Sequence, residues 1–138
     1  MITDRITVAL ITIALVPFAA RADIKRHSAI PDAYLGTWTA ASGACEDPNK
    51  AAVVLSAKGY VTSNANCTVD FVSETPSARG AIYSARLQCS NTAGKAKVKS
   101  VRNVIIRPDG ADRISMGPSF DGLTPFQRCS PTDAAIKQ

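Results

Sequence analysis

The chain is poor in the side chains that acid–base catalysis needs: its 138 residues hold one histidine and two glutamates. His27 sits in a polar stretch with one proline and no period, where nothing would orient it as a general base. Glu46 and Glu74 lie beside turn residues, and no two carboxylates stand at a spacing that suggests a catalytic pair. The four cysteines, Cys45, Cys67, Cys89 and Cys129, are separated by 22, 22 and 40 positions. These gaps fit neither the close C-x-x-C pairs of zinc sites nor the C-x-x-C-H of c-type haem attachment. Gly117, Pro118 and Gly122 are followed by no helical pattern, so they are not a phosphate cradle. We therefore expect no cofactor, no metal and no enzymatic activity. The longest apolar run, Ile6 to Phe18, falls short of the ~20 residues that span a bilayer, so no membrane span is expected.

That run has another reading. Arg5 precedes it, and Ala20 and Ala22 follow as small residues, which together make a secretory signal over residues 1–22 with cleavage after Ala22. No cysteine stands at the cleavage point to take a lipid anchor. Cleavage leaves 138 − 22 = 116 residues, enough for one domain with one core. The remaining chain carries 14 Lys and Arg against 10 Asp and Glu, a net charge of +4. A charge this small and dispersed favours solubility, whereas nucleic-acid binding needs a concentrated patch, so no nucleic acid is expected as a partner. The expected location is the periplasm or the outside of the cell, and the expected state is a monomer. In such an oxidising compartment an even number of widely spaced cysteines reads as two disulfides. Three pairings are possible; the leading one joins Cys45 to Cys67 and Cys89 to Cys129. Against it, Cys67 and Cys89 lie about equally far from the turn near Ser77 and could face each other across a hairpin.

Residues 23–33 read as a mobile leader, residues 34–129 as the domain, and residues 130–138 as a frayed tail. Within the domain apolar residues alternate, and breakers recur at short intervals, which marks an all-β chain. The cleanest strand runs from Ala81 to Cys89, with Tyr83, Ala85, Leu87 and Cys89 on one face. Cys67, Val69 and Phe71 likewise share a face, opposite Thr68 and Asp70. Further strands are expected at Leu35–Ala41, Ala52–Ser56, Tyr60–Asn64, Ala96–Arg107, Arg113–Gly117 and Phe126–Cys129. Val98 and Val101 differ in parity, so a bulge is expected near Ser100. Turns are expected at Lys58-Gly59, Asn64–Asn66, Pro76–Gly80, Asn91–Gly94 and Pro108-Asp109-Gly110. About eight short strands suit a single small antiparallel up-and-down β-barrel, since closure removes sheet edges; a β-sandwich is the alternative.

Three features are candidates for binding. Lys95, Lys97 and Lys99 alternate along one strand as a cationic stripe, extended by Arg102 or Arg107, and would meet an anionic partner; lysines also guard a strand against edge pairing. Gly36-Thr37-Trp38 opens the first strand, with Trp38 sealing one end of the core and Arg128 from the last strand able to stack over its indole. The loop Ser119–Phe126 presents Phe120 and Phe126, either as an interface anchor or as part of the core.

The order Gly36-x-Trp38, Cys45, Cys67, Cys89, Arg128-Cys129 resembles small exported four-cysteine proteins of alphaproteobacteria. More distantly, the G-x-W opening and the closing arginine are similar to lipocalin-type barrels, which implies an eight-stranded calyx for apolar ligands. The same opening resembles bacterial inhibitors of secreted metalloproteases, also small exported barrels. The expected function is that of an exported, non-catalytic, lipocalin-like binding module for a small apolar molecule, with Tyr60, Phe71 and Tyr83 as candidate pocket aromatics. The alternative is a hydrolase inhibitor or an interaction module for an envelope or secreted protein, working through the leader or the Ser119–Phe126 loop.

Overall fold

The computed structural model describes residues 23–40, 45, 52–93 and 96–129. The signal expected over 1–22, the tail expected over 130–138, Glu46 and Lys95 lie outside the described residues. The strands are β1 (Lys25–His27), β2 (Gly36–Ala40), β3 (Ala52–Leu55), β4 (Gly59–Val61), β5 (Asn66–Thr75), β6 (Ile82–Ala93), β7 (Ala96–Gly110), β8 (Arg113–Gly117) and β9 (Thr124–Arg128). From β2 to β9 each strand pairs antiparallel with its chain neighbours, and β9 returns to β2. The result is the expected up-and-down barrel, a closed ring of eight strands. β1 is an addition to that ring: β4 covers β5 at Asn66–Thr68, and β1 pairs with the same strand further along, at Val72–Glu74.

Residues directly opposite in an antiparallel ladder share a face, so one inward residue fixes its partners on the next strand. Trp38, Val53, Leu55, Val69, Leu87, Ile106, Ile114 and Met116 each lose nearly all their exposure on the inner face. The strand Ile82–Ala93 alternates as its sequence predicts, with Ala85, Leu87 and Cys89 buried and Tyr83 packed against them. Phe71 does not follow. Val69 pairs with Leu87 and Phe71 with Arg86, which leaves Asp70 as an extra residue without a partner in the ladder, and this bulge reverses the parity of β5. Val72 becomes the inward residue, fully buried, while Phe71 is turned outward beneath the Arg26 guanidinium, 4.3 Å from its ring centre.

The bulge expected near Ser100 is absent, and β6 and β7 pair without a shift from Tyr83–Ile106 to Ala93–Ala96. Val98 and Val101 differ in parity, as their spacing requires, but both stand half exposed, so no bulge is needed to bury them together. The irregularity in β7 lies instead between Pro108 and Gly110, where a turn was expected; the hairpin tip falls one step later, at Ala111-Asp112.

The leading disulfide pairing is also corrected. Cys67 and Cys89 sit directly opposite each other in the β5–β6 ladder, both 2% exposed, with Cα atoms 4.0 Å apart, and they are bonded. Cys45 joins Cys129, with Cα atoms 5.6 Å apart. Strand register, which acts across the hairpin, decides the first pair and leaves the second by elimination.

The segment read as a mobile leader is seated on the barrel. Besides the pairing of β1, the Ile30 amide donates to the Ala57 carbonyl at 2.9 Å, Lys58 donates to the Ser28 carbonyl, and the Ile30 side chain is 1% exposed in the core. His27 Nε2 lies 2.5 Å from Glu74 Oε2.

Candidate functional site

The register sorts the barrel into two ends. One end gathers the start of β2, the turn after β3, the β7–β8 hairpin and the seated leader. It is closed by Trp38, whose indole N–H donates to the Tyr34 carbonyl at 2.9 Å. Arg128 lies directly across from Trp38 in the β2–β9 ladder, with its guanidinium carbon 4.4 Å from the ring centre. Its Nη1 donates to the Leu35 carbonyl at 2.5 Å, its Nη2 to the Ala33 carbonyl, and its Nε to Asp112 Oδ1 at 3.0 Å. Gly36 has φ +127°, and a side chain there would press on Arg128 Nη1 at 3.3 Å. The spacing of glycine and tryptophan thus has a local cause: Gly36 supplies the backbone and the room for the arginine that covers Trp38. Tyr34 and Tyr83 pack tilted with ring centres 5.4 Å apart beside this end, and burial with the Glu74 charge raises both phenol pKa values from 10.0.

The opposite end gathers the finish of β2, the finish of β8 and the start of β7, and it holds a cavity of about 270 Å³. Its walls include Tyr60, Leu87, Val104, Met116 and Phe126, on the inner faces of β4, β6, β7, β8 and β9. Gly117 forms part of the rim, where a Cβ would meet the Gly122 carbonyl oxygen at 2.1 Å. Only glycine lets the 3-10 turn Phe120–Gly122 lie against the end of β8. Phe126 is partly buried against the core, whereas Phe120 is 63% exposed, so the two phenylalanines of this loop divide between the two roles considered for them.

Arg102 reaches this cavity. It pairs directly with Leu87, and two positions further along β7 stands Val104 opposite Ala85, so its row is the inner one. Burial raises the Tyr60 pKa from 10.0, and the charge of Arg102, which lines the same cavity, pulls it the other way. The Arg102 guanidinium has no hydrogen bond or ion pair among the described residues. Ser100, on the same row opposite Cys89, has a buried Oγ without a partner.

The lysine row divides differently from expectation. Lys99 is exposed and Lys97 lies on the same strand with the same parity, but Arg102 has the opposite parity and does not extend that stripe. Arg107 shares the parity of Lys99 and is held by Asp109, 3.3 Å away. Sequence reasoning took Arg102 as an extension of the lysine stripe and missed its place on the inner row, although a signal was present: it stands two and four positions before Val104 and Ile106. The bulge expected at Ser100 obscured that phase.

Among the described residues, no group of three or more His, Cys, Asp or Glu side chains is placed to hold a metal ion. Among the same residues no helix is long and apolar enough to cross a membrane. What fold and site define together is an eight-stranded barrel, plugged at one end and hollow at the other. Comparison with protein-family models, with curated proteins and with solved structures finds no match in any of the three.

Proposed function

We propose that this chain is an exported, non-catalytic binding module that takes a small molecule with an apolar body into the open end of its barrel. The observation that carries the reading is the cavity of about 270 Å³ walled by inner faces of five strands. It lies just under the lower bound of about 300 Å³ for ordinary ligand pockets, which favours a compact ligand over a long lipid. Eight strands make a ring just wide enough either to fill with side chains or to hold one small ligand, and this barrel does the first at the Trp38 end and the second at the other. The two disulfides are consistent with an oxidising periplasmic or extracellular setting.

The interaction reading keeps one supporting feature, the exposed Phe120 beside the rim. Its leader version has less support, because Arg26, His27 and Ile30 are engaged with the barrel.

The test is a native mass spectrum of the protein isolated gently from its own cells, followed by melting of the purified protein against a panel of small apolar probes. Extra mass of a small molecule is expected. A probe at 100 times its dissociation constant should add about 2.7 kcal/mol of stability. A bare chain that no probe stabilises would overturn the reading.

A further inference from the structure

We propose that the ligand of this cavity is a small organic anion, a compact carboxylate with an apolar body, and that Arg102 receives its carboxylate. This inference rests on the cavity being a binding site and adds the chemistry of the ligand's polar end.

Arg102 is exposed to solvent, yet register sets it on the inner row of the barrel, where it lines the cavity. Arg26 lies over Phe71, Arg86 is 3.9 Å from Asp70, Arg107 pairs with Asp109, and Arg128 is held by Asp112 and two carbonyls. Arg102 has no such partner among the described residues, as is also true of the exposed Arg79 and Arg113, but Arg102 differs from those two in lining the cavity, where no aspartate or glutamate stands to pair with it. A guanidinium offers five N–H donors in a planar fork and accepts nothing, so the chemistry it selects is an acceptor with two oxygens in a plane.

The neighbouring polar group suits the same ligand. Tyr60 lines the cavity with no hydrogen bond to its hydroxyl among the described residues. That hydroxyl can donate to a carboxylate. Leu87, Val104, Met116 and Phe126 supply apolar wall to the same cavity. Donors beside hydrocarbon match a molecule with an anionic head and an apolar body. The net charge of +4 expected after cleavage at Ala22 also raises the local concentration of anions.

The experiment is isothermal titration calorimetry of the intact oxidised protein with octanoate, octanol and octyltrimethylammonium, which share a tail and differ in charge. It is repeated on Arg102→Gln and on Lys99→Gln, a neutralisation on the outward face of the same strand, with melting curves to confirm that each variant is folded. Octanoate should bind about ten-fold or more tightly than octanol, since hydrogen bonds to a charged group exceed neutral ones by that order. The ammonium should bind weakest. Arg102→Gln should abolish the preference for octanoate and leave octanol unchanged, whereas Lys99→Gln should preserve the preference.

Equal binding of octanoate and octanol by the native protein overturns the anion inference and leaves the cavity reading standing. A preference that survives Arg102→Gln, or that Lys99→Gln removes equally, overturns the role of Arg102. If none of the three probes binds, the inference and the cavity reading fall together.

Discussion

Arg128 ties three parts of the closed end: the ring of Trp38, the carbonyls that precede β2, and Asp112 at the β7–β8 tip. Lysine has the same charge but no planar fork, so it cannot reproduce these contacts together. Arg128→Lys should therefore lower stability by about 1.5 to 3 kcal/mol, the range for hydrogen bonds to a charged group, as read by urea unfolding. Trp38→Ala removes the plug itself and should cost about 3 to 5 kcal/mol. The tyrosines set the alkaline limit. Burial raises the phenol pKa values of Tyr34, Tyr60 and Tyr83 in the folded protein, whereas the unfolded chain titrates at the ordinary 10.0. The stability tied to these protonated phenols is thus fully present below pH 10 and falls as pH rises through the folded values. Melting temperatures measured from neutral to strongly alkaline pH should hold level from this source and then decline above pH 10; a decline beginning well below pH 10 would assign the loss to other groups.

Elements differ in how plainly the sequence announces them. β8 spans Arg113–Gly117 as its pattern predicts, and Ile82–Cys89 alternates without interruption. β1 carries no such mark: Lys25, Arg26 and His27 are all exposed, and the strand exists through backbone pairing with β5. The bulge at Asp70-Phe71 is also invisible in composition, because one extra residue reverses parity without changing residue type. Trp38 and Arg128 were legible as a pair because each is large, Trp38 in the first strand of the ring and Arg128 at the end of the last. The Arg102 site was not, since its inward direction depends on the unbroken β6–β7 register. Seating of the leader is itself testable: Ile30→Ala should cost about 2 to 5 kcal/mol, as for a buried residue, whereas a detached segment would show no effect. The disulfides should also differ in weight. By loop closure the bond spanning 84 residues contributes about 4.6 kcal/mol and the one spanning 22 about 3.4. Unfolding of the Cys45→Ala/Cys129→Ala and Cys67→Ala/Cys89→Ala double variants compares them, and a larger loss is expected for the first on the entropic term.

At the scale of the molecule, the barrel is filled where chain segments converge and hollow where they part. Leader, plug and β7–β8 tip meet at one end, while at the other β7 continues past the end of β8, which pairs with it only as far as Ile105. The alternation that made an all-β barrel legible from sequence describes each strand alone. It carried no information on which end would be filled, because that follows from how far each strand outlasts its neighbour.

The topology also distinguishes two kinds of strand contact. Each strand from β3 to β9 pairs with its predecessor in the chain, whereas the seam between β2 and β9 joins the first and last strands of the ring. Cys67 and Cys89 belong to one hairpin, whereas Cys129 directly follows the strand that makes the seam. Its amide donates to the Thr37 carbonyl at 2.8 Å. The bond from Cys45 to Cys129 thus works as a latch on the ring: it ties the end of the last strand to the chain that follows the first, so the seam cannot part far while the bond holds.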